Sequence, residues 1–109
     1  MRTLRFIIDD QIIRADPTCD FSGLVPGSEG QLKAEFSFSK EWDGCFKVVA
    51  FYSPLGMEFT PQVLEDGKSC IIPAEALEKR YFKIQVIGRR IETRLKTNKI
   101  EVYQNGGKR

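Results

Sequence analysis

The chain has 109 residues, of which 41% are hydrophobic and 29% are charged, the composition of an ordinary globular protein with one domain. Its 17 basic and 15 acidic residues give a net charge of +2, which is too small to indicate a nucleic-acid-binding protein. No apolar run approaches the roughly 20 residues of a membrane span, and the N-terminus enters a strand pattern without a secretory signal. We therefore expect one domain over residues 1–103, made and folded in the cytosol, followed by a mobile polar tail over residues 104–109.

Alternation of apolar and polar residues predicts the first strand over residues 4–8. Asp9-Asp10 predicts a turn into a second strand over residues 11–14. Residues 18–30 are rich in glycine and proline and predict an irregular surface connection. Three apolar residues, Phe21, Leu24 and Val25, are expected to hold this connection against the core. The alternative is that they form a recognition surface.

The stretch over residues 31–53 has the strongest pattern in the chain. A strand with one apolar face is predicted over residues 32–38, and Asp43-Gly44 predicts a turn into a strand over residues 46–52. The second strand is apolar on both faces, which favours a central strand covered on both sides. We expect Trp42 to close one end of the core. The predicted core, which includes three residues of a later strand, consists of Phe36, Phe38, Trp42, Val48, Phe82, Ile84 and Val86.

The rest of the chain predicts short strands separated by turns. Pro54-Leu55-Gly56 and Arg89-Arg90 are predicted turns, and proline followed by alanine, glutamate and leucine predicts one short helical turn near 73–79. Further strands are predicted over residues 57–60, 62–64, 69–72, 81–88, 91–95 and 100–102. The predicted fold is an all-β, antiparallel Ig-like β-sandwich of about 7–9 short strands, with a small barrel as the alternative.

Residue types that carry chemistry are scarce. Histidine is absent, which removes the commonest general base and metal ligand, and the glycines fit no phosphate-binding pattern. The paired carboxylates Asp9-Asp10 and Glu41 with Asp43 lie in predicted turns and are expected to be solvated or turn-stabilising. We therefore expect no enzyme activity, cofactor or metal.

The three cysteines, Cys19, Cys45 and Cys70, lack the spacing of a zinc or redox motif. They are expected to be free thiols, two of them buried. The alternative is one disulfide and one free thiol.

Basic residues are concentrated in the last predicted hairpin, at Arg89, Arg90, Arg94, Lys96 and Lys99. Such a cluster is typical of a solvated strand face, where charge discourages aggregation. The alternatives are an electrostatic contact with an acidic neighbouring subunit and a contact with a polyanion. Because arginine and tyrosine are enriched at interfaces, the predicted interface consists of Tyr81, Arg90, Arg94 and Tyr103.

Two segments carry a resemblance to a known family. They are Phe-Ser-Phe-Ser-Lys-Glu-Trp-Asp-Gly over residues 36–44 and Ile-Ile-Pro-Ala-Glu-Ala-Leu over residues 71–77. Their order, followed by a strand over 82–88 and a last strand after Thr97-Asn98, resembles small Ig-like domains of tailed phages and prophages of Gram-positive bacteria. Similar modules begin upper baseplate and fibre proteins and attach the fibre to the particle.

The resemblance implies a structural or accessory protein of a phage virion, at the capsid, neck, tail or baseplate, that docks to other virion subunits or to itself. With no fibre region after Arg109, we expect a virion accessory protein or a fragment of a longer protein. The alternative function is a carbohydrate-binding module for the host cell wall, for which the candidate stacking residues are Trp42, Tyr52, Tyr81 and Tyr103. A third function is a cytosolic phage protein that binds a host regulator.

Overall fold

Two β-sheets pack against each other in the computed structural model, which describes residues 1–27 and 32–104. The strands are β1 (Arg2–Asp9), β2 (Ile12–Ala15), β3 (Leu32–Phe38), β4 (Phe46–Tyr52), β5 (Gln62–Val63), β6 (Ser69–Ile71), β7 (Tyr81–Arg90), β8 (Thr93–Lys96) and β9 (Ile100–Tyr103). The helical segments of the described chain are two 3-10 turns, Lys40–Trp42 and Ala74–Glu78. The protein is therefore an all-β, two-sheet sandwich, and its second 3-10 turn occupies the segment where the sequence predicts a helical turn.

The four-stranded sheet has the order β2-β1-β3-β6. The five-stranded sheet has the order β5-β4-β7, and both β8 and β9 pair with the remaining edge of β7. β8 pairs with the end of β7 and β9 with its beginning, so these two strands share one sheet edge. β7 is consequently the central strand of the five-stranded sheet.

One strand pair differs from the predicted antiparallel arrangement. β1 and β3 are parallel, with Arg2 opposite Leu32 at one end and Ile8 opposite Phe38 at the other. β2 runs back along β1, and the chain then crosses to the other side of β1, so β3 starts at the same end as β1. Apolar alternation gives the inward face of a strand but not its direction, which is why the sequence did not predict this pairing.

The core lies between the sheets and includes side chains of both. Phe36, Phe82, Ile84 and Val86 are buried there, in agreement with the sequence prediction. Phe38 is only half-buried, because it lies at the rim of the core. Its ring is 5.3 Å from the Trp42 ring, and the Lys47 ammonium lies 5.0 Å from its centroid.

The face of β4 that points inward was predicted wrongly. Val49 and Phe51 are fully buried in the core, whereas Val48 is half-buried on the outward side and Phe46 is 60% exposed. The predicted core residue Val48 is therefore an outward residue, and the outer side of β4 is covered only in part, since Ala50 on that side is buried whereas Phe46 is exposed. When both faces of a strand are apolar, alternation alone cannot select the inner one.

Trp42 closes one end of the core and joins the two sheets. It is fully buried, and its indole Nε1 donates a hydrogen bond of 2.6 Å to the carbonyl of Asp10 in the β1–β2 turn. Its other side lies against Gly88 of β7, where a Cβ atom would come within 2.6 Å of the indole Cζ3. A glycine is required at 88 because the ring occupies the space of a side chain.

Three other predicted boundaries differ from the structure. The predicted Arg89-Arg90 turn is wrong, because β7 continues to Arg90 and the turn falls at Ile91-Glu92, where Glu92 has a φ of 60°. The predicted strand over residues 57–60 is reduced to a single bridge between Tyr52 and Glu58. A tail beginning at residue 104 was also expected, but Gln104 is buried.

Gln104 is anchored by backbone and side-chain hydrogen bonds. Its amide Nε2 donates to the carbonyls of Leu77 and Lys79, and its backbone N–H donates to the carbonyl of Arg80. These contacts attach the end of β9 to the second 3-10 turn. The remaining part of the predicted tail, residues 105–109, lies outside the described residues.

The connection after β2 is attached to the core at two of the three predicted residues. Leu24 is buried, and the Phe21 ring lies edge-on to the Phe6 ring with centroids 5.5 Å apart. Val25 is half exposed instead. A single apolar residue in a loop can face either way, so its sequence alone does not predict which side it takes.

Candidate docking face

The four residues of the predicted interface do not form one cluster. Tyr81 and Tyr103 are opposite each other at the beginning of β7, whereas Arg94 is opposite Arg89 near its end. Arg90 alternates to the other side of β7 from Tyr81. The predicted interface is therefore divided into an aromatic pair and an arginine region at opposite ends of one strand.

Arg90 has a structural role. Its Nη1 donates hydrogen bonds to the carbonyls of Glu41 (2.9 Å) and Asp43 (3.0 Å), and it also contacts the Cys45 sulfur at 3.3 Å. The guanidinium thus holds the turn that follows Trp42 against the end of β7. Because these acceptors are internal, Arg90 is not a suitable residue with which to test an interface.

The outer side of the five-stranded sheet carries an apolar band with a basic border. Cross-strand pairing places Val48 between Val63 and Ile87, and it places Phe46 opposite Arg89. Val63 is 42% exposed, and Ile87 and Val48 are half-buried. We name this surface the apolar–basic face; it consists of Phe46, Val48, Val63, Ile87, Arg89, Arg94 and Lys96.

The apolar residues of this face were not predicted as functional. Phe46 and Val48 were assigned to a covered side of β4, and Val63 and Ile87 were treated as ordinary strand residues. The available signal was the second apolar side of β4, which was expected to be covered within the sandwich. Such a surface on a sheet is typical of a contact with another molecule.

The charge arrangement on this face is unusual for a sheet. Arg89 and Arg94 are directly opposite each other on adjacent strands, where like charges are destabilising. They line a depression of about 260 Å³ together with Arg90, Glu92 and Thr93. In the described ranges 1–27 and 32–104 the one ion pair joins Arg5 and Glu35 on the other sheet, so Arg89 and Arg94 have no internal carboxylate partner.

Aromatic side chains elsewhere on the outer side are already engaged. The Tyr81 and Tyr103 rings stack on each other, with centroids 4.8 Å apart, and the Tyr103 hydroxyl donates to the Glu101 carboxylate. The Lys99 ammonium lies 4.1 Å from the centroid of the Tyr52 ring. These contacts occupy ring faces that a sugar would otherwise use for stacking.

Tyr52 is also fixed through its hydroxyl. It donates to the Gln85 side-chain carbonyl, and the Gln85 amide donates to the carbonyl of Thr97. Burial raises the pKa of Tyr52. These hydrogen bonds connect β4, β7 and the segment after β8 beside the apolar–basic face.

The three cysteines carry free thiols, with Cys45 buried and Cys19 and Cys70 partly buried. Burial raises the pKa of the Cys70 thiol to about 12, which keeps it protonated and unreactive at neutral pH. A partly buried, protonated thiol of this kind behaves as a small apolar side chain.

The turn carboxylates interact mainly with their own turns. The Ser39 hydroxyl beside Glu41 is the main cause that lowers the pKa of that carboxyl, and the Ser69 hydroxyl acts in the same way on Asp66. In the part of the chain that the structure describes, no three metal-binding side chains form a cluster, and no helix has the length and apolarity to cross a bilayer.

No protein-family model, curated protein or solved structure matches this chain.

Proposed function

We propose that this protein is a non-enzymatic docking component of a phage particle, attached to another virion subunit through the apolar–basic face. The docking part of this proposal depends on one observation, the exposed apolar band with a basic border on a rigid sheet. The phage part depends on the resemblance of residues 36–44 and 71–77 to small Ig-like phage domains. After synthesis in the host cytoplasm the protein would be incorporated into the virion.

Interfaces are commonly built with an apolar centre and a polar rim, and arginine is enriched in them. Phe46, Val63 and Ile87 provide the centre, and Arg89 and Arg94 provide the rim on one side. A sheet face also needs no rearrangement on binding, so little conformational entropy is lost.

The alternative function, binding of cell-wall carbohydrate, has less support. Sugar binding on a sandwich needs an exposed aromatic ring face. Trp42 is fully buried, and Tyr52, Tyr81 and Tyr103 each have a ring face against another side chain. The four predicted stacking residues therefore favour docking over carbohydrate binding.

Photo-crosslinking in purified particles tests this proposal. A benzoylphenylalanine at Val63 should crosslink to one virion protein of defined mass after irradiation. The matched control position is Ile12, which is 58% exposed on an edge strand of the other sheet and should give little product. Absence of the protein from the particles, or equal crosslinking from both positions, would contradict the proposal.

A further inference from the structure

We propose that Arg89 and Arg94 form a clamp for an acidic side chain of the docking partner, beside the apolar band. This inference rests on the proposed function and specifies the chemistry of the partner, a protein segment with aspartate or glutamate next to an apolar residue. Its first basis is the cross-strand register, which holds the two guanidinium groups on the same side of the β7–β8 hairpin.

The second basis is that, among residues 1–27 and 32–104, no carboxylate lies within ion-pair distance of either arginine. Cross-strand pairs of opposite charge are favourable and like pairs are unfavourable, each by roughly 0.2–1 kcal/mol. On the other sheet the sequence provides the favourable combination, since Arg5 Nε lies 3.2 Å from Glu35 Oε1. At the corresponding positions of the β7–β8 hairpin it provides two arginines, which an external anion would bring together.

None of the other three residues that line the depression neutralises the pair, since Thr93 is uncharged and Arg90 is itself a cation. Arg90 Nη1 is directed to the Glu41 and Asp43 carbonyls. Glu92 lies at the turn in a left-handed conformation, and within the described chain it is not within ion-pair distance of an arginine. The depression of about 260 Å³ is large enough for a carboxylate and its methylene group.

The surroundings favour a protein carboxylate over a nucleic-acid phosphate. Phe46 is in the same cross-strand row as Arg89, and Ile87 is in the next row, opposite Lys96. A nucleic-acid backbone normally binds along a continuous stripe of basic residues. On this surface basic and apolar residues instead alternate over a short distance. A guanidinium binds a carboxylate through two parallel hydrogen bonds, which gives such a contact its geometry.

The test uses the full chain and a synthetic peptide in which two aspartates alternate with three leucines. In an NMR titration the peptide should shift the amide signals of Ile87, Arg89 and Arg94, and a peptide with asparagine in place of aspartate should bind at least about tenfold more weakly. Arg89→Gln with Arg94→Gln should reduce binding of the acidic peptide by a similar factor. The control is Arg14→Gln with Arg80→Gln, which removes the same charge from exposed positions elsewhere and should leave binding unchanged.

Several outcomes would overturn the inference. They are binding of the acidic and amide peptides with equal affinity, an equal loss with both double variants, or tighter binding of a single-stranded oligonucleotide at the same residues. Failure of the clamp is distinguishable from failure of the docking function. If crosslinking at Val63 to a virion protein persists at full yield in Arg89→Gln/Arg94→Gln, the docking face stands and the clamp is wrong. If Val63 crosslinks no better than Ile12, the docking function itself is wrong.

Discussion

The two outer faces of the sandwich differ in how their charged and apolar side chains are arranged. On the four-stranded sheet Arg5 pairs with Glu35, and the exposed isoleucines Ile12 and Ile71 are separated on opposite edge strands. On the five-stranded sheet the apolar residues are adjacent, and Arg89 faces Arg94. In the described part of the chain, one face thus carries an ion pair, whereas the other carries adjacent apolar residues and two arginines with no carboxylate within ion-pair distance.

This difference indicates how the outward residues of a small sandwich set its two faces apart. Both faces belong to the same sandwich and share the same core, so the difference lies only in the outward residues. A like-charge pair and an exposed apolar band both lower the stability of the free protein or favour association. They are useful only where a partner covers them.

The prediction with the largest expected effect tests whether the two sheets share one core. Trp42→Ala should lower the free energy of unfolding by about 3–5 kcal/mol, because it leaves a large cavity and removes the indole bond to Asp10. Since the ring contacts elements of both sheets, both should unfold in one transition. Chemical denaturation followed by circular dichroism measures this effect.

Phe46→Ala is the control for Trp42→Ala, since Phe46 is a large aromatic residue on the outer face and is 60% exposed. Its cost should be below about 1 kcal/mol. An unchanged denaturant midpoint for Trp42→Ala, or two separate transitions, would show that the sheets do not share one core.

The sequence predicted the sandwich because alternation and turn residues are local signals. The burial of Trp42, for example, follows from a large indole beside a turn. Strand direction in the β1–β3 pair and the inner face of β4 were not predictable, because both depend on contacts between distant segments. The role of Arg90 was also missed, since its acceptors Glu41 and Asp43 are more than 40 residues away.

The apolar–basic face was also not predictable from local sequence signals. The cluster of basic residues in the last hairpin was visible in the sequence. The position of Arg89 directly opposite Arg94 on β8, however, depends on the turn at Ile91-Glu92. The predicted turn at Arg89-Arg90 would have placed Arg89 and Arg94 differently. A shift of the turn by two residues therefore decided whether the arginine pair could be recognised.

The next prediction concerns the inner side of the four-stranded sheet, where Cys70 faces Ala34. Burial raises the pKa of the Cys70 thiol from 9.0 to about 12, so its thiolate fraction at pH 8 should fall about a thousandfold. Alkylation of Cys70 by iodoacetamide in the folded protein should slow accordingly, as followed by mass spectrometry of peptides. Under denaturing, non-reducing conditions three free thiols should be found, and a single one would indicate a disulfide.

The raised pKa of Cys70 also sets the sign of a pH effect. A neutral thiol is favoured in the folded state, so this contribution to stability is complete below pH 9.0 and is lost as the pH rises towards 12. As the pH rises above 9.0, Cys70→Ala should therefore lose less stability than the natural protein. An equal alkaline loss in both would mean that Cys70 is not shielded by the sheet.

The third prediction concerns the turn between β5 and β6, where the chain passes from one sheet to the other. Asp66 accepts hydrogen bonds from the Ser69 hydroxyl and from the backbone N–H groups of Lys68 and Ser69. These bonds hold the pKa of Asp66 well below its usual range. The resulting stability is present above about pH 4 and is lost as the pH falls through the lowered pKa.

Asp66→Asn should therefore have a lower melting temperature than the natural protein near neutral pH, and the gap should narrow on acidification to about pH 2. Ser69→Ala removes the hydroxyl donor and should reduce the same acid dependence. A gap that does not change with pH would show that the Asp66 charge does not contribute to the connection between the sheets.

The smallest expected effect addresses the contrast between the faces directly. Arg94→Glu places a carboxylate opposite Arg89 and should raise the free energy of unfolding by roughly 0.2–1 kcal/mol, whereas Glu35→Arg should lower it by a similar amount. Both effects should shrink in about 1 M salt, where the Debye length is about 3 Å. Arg80→Glu makes the same change of net charge at an exposed loop position and should lack the gain. Two outcomes decide the comparison. If Arg94→Glu raises the stability of the free protein and also removes crosslinking at Val63, the Arg89–Arg94 pair lowers the stability of the free protein and is needed for the partner. If Arg94→Glu instead lowers stability at low salt, the arginine pair is already compensated and the two faces do not differ in the way described.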